Sequence, residues 1–190
     1  MDHRPFPLRL RIARLQTMLA IIDFFLQITL RRRGPEDLPD SRFLLLLSAL
    51  AYTVVQFFLA LPIYRVSILL FRSVLIDIAL LCACVSGLLW LTRHLSRTGR
   101  TLTAFFGTGA LLGMLMLPFN YWLDALSVPG QPALLPTAAL LAIVSWSLAV
   151  NGHIFSRALS IPFVAGLMIS LAYFFLNYLV FWQLGPPPSV

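Results

Sequence analysis

Two charged side chains, Arg72 and Asp77, stand inside one apolar run from Val66 to Leu91. An ionised carboxylate in the middle of a membrane-length helix costs about 3 kcal/mol on insertion scales, so Asp77 needs hydrogen-bond partners, a cation or a proton. Arg72 is displaced from it by about 140° around a helix, which rules against an ion pair within the run. Arg65 and Arg72 share a face instead, and Arg72 is near enough to the end of the run to snorkel outward. Two chemistries stay open for Asp77. It relays a proton or cation, or it clamps helices together through Asn177, Gln56 or Ser73.

Other reactive residue types are sparse. Cys82 and Cys84 lie two apart in an apolar run, point to nearly opposite sides of a helix, and are read as small buried side chains. His94 and His153 have no Cys, Asp or Glu at ligand spacing beside them and are read as solvated loop residues. No G-x-S-x-G, H-E-x-x-H or phosphate-cradling loop with Lys occurs. The expectation is a non-enzymatic protein with no catalytic residues, no metal and no cofactor. Gly109 and Gly113 make a G-x-x-x-G step with Gly107 close by, a strip where backbones approach closely. Packing within one bundle and a homodimer face are both open readings of it.

These residues must be positioned by membrane-embedded helices. The chain has 190 residues, 59% of them hydrophobic and only 11% charged, with a mean hydropathy of +0.89. Water is not the main solvent for such a composition. Five spans are expected, at about 43–61, 66–91, 101–119, 133–150 and 161–182, forming one domain over 41–183. Pro62 is expected to end the first span, and Pro118 to kink or end the third. Asn120, Tyr121 and Trp122 then fall at headgroup level, where amphipathic aromatics are favoured. Residues 151–160 read as a basic turn, and the proline-rich tail 184–190 as disordered.

Residues 1–40 form an Arg-rich amino-terminal segment. From about Leu8 to Leu30 it reads as a helix with Arg9, Gln16, Asp23 and Gln27 on a polar stripe, lying in the membrane surface, with a tilted sixth span as the alternative. Asp23 and the Arg31, Arg32, Arg33 triplet argue against a cleaved leader. All fourteen basic residues besides His are arginine, giving a net charge of +7. Twelve of them fall on one side of the alternating spans and one in a loop on the other, which places the amino terminus in the cytoplasm and the carboxyl terminus outside. The expected location is a bacterial inner membrane. Arg9, Arg11, Arg14, Arg31, Arg32 and Arg33 are expected to meet anionic lipid headgroups, and nucleic acid is not an expected partner.

The layout resembles the Yip family of small five-span membrane proteins over roughly residues 40–182. The resemblance is carried by span count and orientation, by Gly107, Gly109 and Gly113 in the third span, and by Trp146, Ser147 and Leu148 before a short basic turn and Ala158. It implies an architecture and no particular activity. The sequence thus suggests an all-α membrane protein, a five-helix bundle preceded by an amphipathic interfacial helix. Its expected role is interaction or membrane organisation, with other membrane proteins or a second copy as partners. The alternative is a small transporter or channel component using Asp77.

Overall fold

A computed structural model describes residues 20–126 and 133–183, which form six α-helices and no strand. They are α1 (Ala20–Thr29), α2 (Arg42–Tyr64), α3 (Ile68–Leu91), α4 (Thr98–Ala125), α5 (Leu134–Leu159) and α6 (Phe163–Gln183). Helices α2 to α6 are each at least 21 residues long and strongly apolar, enough to cross a hydrocarbon core of about 30 Å. The protein is an all-α, multi-pass membrane protein. Arg9, Arg11, Arg14 and the tail 184–190 lie outside the described residues.

Capping and turn chemistry fix the helix ends. Ser41 accepts from the Leu44 N–H at 3.4 Å and starts α2. Arg65 and Ser160 take positive φ, 54° and 56°, to reverse the chain after α2 and α5. Ser160 is the left-handed cap of α5, its N–H returning to Ser156 O.

Three helix ends differ from expectation. Helix α2 continues through Pro62 to Tyr64, and α4 continues through Pro118 to Ala125, because packed neighbours can satisfy backbone groups that proline leaves open. Helix α5 continues through Asn151, His153 and Arg157 to Leu159, replacing the expected turn. Buried Val150, Ile154, Phe155, Ala158 and Leu159 keep the helical period there, and the polar residues occupy the remaining positions.

Helix α4 is the central element. Half of its membrane-length window is buried, against 11% for α6. It packs on α2 and α5; α6 lies along α5, α3 lies mainly along α2, and α3 and α6 barely touch. Helix α1 is seated on this bundle, with Phe25, Ile28 and Thr29 buried. Its Asp23 and Gln27 bond each other at 2.5 Å, and Ile22, Leu26 and Leu30 are exposed. One apolar face of this segment is thus held by protein, and the face with Ile22, Leu26 and Leu30 is exposed.

The Gly strip of α4 is filled by the same chain. A Cβ on Gly107 would overlap the Phe25 ring, one on Gly109 would lie 2.7 Å from Tyr52 Cε2, and one on Gly113 would lie 2.5 Å from Val55 Cγ1. Of the two open readings, intramolecular packing holds, and the strip is not free to receive a second copy.

Candidate functional site

Buried positions on α3 run Leu70, Ser73, Val74, Asp77, Leu81, Val85 and Leu89, a helical stripe that turns Asp77 inward. Arg72 falls off this stripe and is exposed. It makes no ion pair with Asp77 among the described residues. At the same end of the bundle Arg65 pairs instead with Asp124 on α4, at 3.8 Å.

Asp77 is 9% exposed and gathers three donors from two other spans. Tyr52 on α2 donates its hydroxyl to Oδ2 at 2.6 Å, and Gln56, one turn further along α2, donates Nε2 to the same oxygen at 2.9 Å. Asn177 on α6 donates Nδ2 to Oδ1 at 3.1 Å. Gln56 Nε2 also donates to the Tyr52 hydroxyl oxygen at 2.9 Å. Such a donor set is matched to a carboxylate, which accepts on both oxygens. Of the three partners expected from sequence, Gln56 and Asn177 are present. Ser73 is not, because its hydroxyl turns back to the Leu70 carbonyl at 2.8 Å.

Tyr52 is the residue that sequence reasoning missed. Its ring sits 5.3 Å from that of Phe106 and fills the space left by Gly109, so the missing side chain on α4 lets the phenol reach Asp77. The available signal was the spacing of Tyr52 and Gln56, four apart on one helix face.

The cluster separates two cavities. One of about 390 Å³ opens between α2, α3 and α6, with Asp77, Gln56 and Asn177 at its polar base and Phe174, Tyr178 and Phe181 in its wall. The other, about 140 Å³, lies on the α4 and α5 side beside Tyr52, Tyr173, Ser147 and Asn151. Gln56 borders both. The first lies where α3 and α6 barely touch.

The other candidate residues are dispersed. Arg31 lies 5.4 Å from the centroids of both the Trp146 and Phe163 rings, and Arg33 lies 4.8 Å from that of Phe24, within cation–π range. Arg32 is exposed. His153 Nε2 is 3.0 Å from the Arg33 carbonyl. Cys82 and Cys84 are free thiols. Among the described residues no three His, Cys, Asp or Glu gather as a metal site. Comparison with protein-family models, curated proteins and solved structures finds no match.

Proposed function

We propose that this chain is a small, non-enzymatic membrane protein that binds an organic cation at Asp77, as a transporter or channel component. The observation that carries this reading is the setting of the carboxylate. It has no ion-pair partner among the described residues and borders an open cavity with an aromatic wall. A carboxylate at the base of an apolar, aromatic chamber selects a cation that also has apolar surface, through charge and cation–π attraction. The experiment is equilibrium binding of tetraphenylphosphonium to the detergent-solubilised chain. Wild type binds saturably, and Asp77→Asn loses binding while keeping its helical spectrum and a cooperative thermal transition, its midpoint lowered less than that of Asp77→Ala. Equal binding by both leaves Asp77 a structural clamp and removes the reading.

The location that goes with it is a bacterial inner membrane, with the Arg-rich end cytoplasmic, as the arginine distribution supports. The Yip-like five-span layout is carried as architecture alone. A second reading, a membrane-organising protein that holds anionic lipid, is favoured by the placement of Arg31 and Arg33 beside Trp146, Phe163 and Phe24. It expects that neutralising Arg31, Arg32 and Arg33 weakens binding to phosphatidylglycerol vesicles and leaves tetraphenylphosphonium binding intact.

A further inference from the structure

A cavity of about 540 Å³ opens at the Arg-rich end of the bundle, far from Asp77, where the Pro35–Asp37 turn, the start of α4 and the α5–α6 turn meet. Its lining brings three guanidinium groups, Arg97, Arg100 and Arg157, against one carboxylate, Glu36. Each arginine has a different engagement. Arg97 Nη1 donates to the Ala158 carbonyl at 3.2 Å and to Ser160 Oγ at 2.9 Å, tying α4 to the end of α5. Arg157 is ion-paired with Glu36. Arg100 has a buried Nε with no hydrogen-bond partner among the described residues, and no ion pair there includes it.

The hydroxyl groups of the lining do not change this balance. Ser156 Oγ donates to the Ile161 carbonyl at 2.6 Å, and Thr101 Oγ1 donates to the Arg97 carbonyl at 2.8 Å, so both hydrogens are spent within the fold. The donors left for a ligand are the Ser160 hydroxyl, which only accepts from Arg97 within the fold, and guanidinium N–H groups carrying excess positive charge. A buried N–H without an acceptor is costly, and among the described residues none accepts from Arg100 Nε, while Arg100 itself lines the cavity. Planar guanidinium forks match carboxylate and phosphate oxygens. A phosphate monoester presents three terminal oxygens, one toward each arginine, and a lipid phosphodiester presents two terminal and two ester oxygens set tetrahedrally, whereas a carboxylate presents two oxygens in one plane.

We propose that this cavity binds a phosphate group, carried by an anionic lipid headgroup or by a soluble phosphate ester, with Arg100 as the principal ligand. Arg157 joins it by releasing Glu36. The site does not depend on the cation reading of Asp77.

The test uses the full chain in two arms. In nanodiscs mixing phosphatidylglycerol and phosphatidylcholine, native mass spectrometry reads the retained lipid, and in detergent, equilibrium dialysis reads binding of glycerol 1-phosphate. Wild type is expected to retain phosphatidylglycerol selectively, to bind glycerol 1-phosphate, or both. Lipid retention without glycerol 1-phosphate binding assigns the group to a headgroup, and glycerol 1-phosphate binding assigns a soluble ester. Arg100→Gln lowers the affinity about tenfold, the loss of one charge-assisted hydrogen bond. Glu36→Gln raises it, because Arg157 loses its competing carboxylate. Equal retention of both lipids together with no glycerol 1-phosphate binding overturns the proposal, and so does wild-type affinity in a folded Arg100→Gln variant. Should Arg100→Gln not fold, unchanged or weaker affinity in Glu36→Gln overturns it instead.

Discussion

The hydroxyl of Tyr121 on α4 donates at 3.1 Å to the carbonyl of Phe58 on α2, and Phe58 is four residues before Pro62, the position whose missing N–H leaves that carbonyl without its helical partner. Asn120 Nδ2 reaches the next carbonyl, Leu59, at 2.8 Å. One helix thereby supplies donors at the place where its neighbour contains proline.

The Tyr121 hydroxyl is expected to matter because of Pro62. Tyr121→Phe should lower stability by about 0.6 kcal/mol, the usual worth of an interhelical hydrogen bond in a membrane protein. In a Pro62→Ala background, where residue 62 regains its N–H, the same change should cost close to nothing. Reversible unfolding in mixed micelles measures the cycle, and equal losses in both backgrounds would assign the hydroxyl to some other partner.

Around Asp77 the order of damage follows from unmatched donors. Asp77→Ala leaves Tyr52, Gln56 and Asn177 without their shared acceptor, each worth about 1–3 kcal/mol if it stays dry. Asp77→Asn keeps one carbonyl oxygen and should cost less. Tyr52→Phe removes a single donor and should cost least of the three. A midpoint for Asp77→Ala at or above that of Asp77→Asn would mean that water in the adjoining cavity satisfies the released groups.

Glycines separate in a similar way. A Cβ on Gly152 would lie 2.8 Å from Leu167 Cα, and one on Gly166 would lie 2.8 Å from the Ser156 nitrogen, whereas one on Gly87 meets nothing within 4 Å. Helices α5 and α6 thus approach backbone to backbone, with Ser170 Oγ donating to the Leu148 carbonyl at 3.0 Å beside them. Gly166→Ala should destabilise by about 1–3 kcal/mol through overpacking. Gly87→Ala should be neutral or add up to about 1 kcal/mol through helix propensity. Thermal unfolding in detergent distinguishes them, and equal responses would place α5 and α6 further apart than described.

Much of this arrangement is legible in the residues. The stripe from Leu70 to Leu89 points Asp77 inward, and amides alone in apolar runs, Gln56 and Asn177, mark themselves as its partners. Tyr52 is less visible because a tyrosine in a span is ordinarily read as packing, and its role depends on a gap in a different helix at Gly109. Gly152 and Gly166 belong to different helices, so no spacing rule connects them before α5 and α6 pair. Pro62 and Pro118 look like helix breakers by local rules. For Pro62 the compensating donors are about 60 residues away in sequence. The Arg97, Arg100 and Arg157 cavity draws on three separate turns and is visible only once they converge.

The seating of α1 depends on one knob and one hole. Phe25 is buried, and its ring occupies the space where Gly107 lacks a side chain; Ile28, one turn on, is fully buried. Side-chain bulk at residue 107 must displace that ring, and with it the face of α1 that carries Ile28. In a chain with Cys82 and Cys84 changed to alanine, Ile28→Cys should therefore resist a water-soluble maleimide, and Leu30→Cys, on the exposed side, should react. Adding Gly107→Leu should make residue 28 as reactive as residue 30, while Gly87→Leu, with open space around it, should not. Rapid labelling of residue 28 with Gly107 intact would mean that the face of α1 carrying it is open to water and not held by α4.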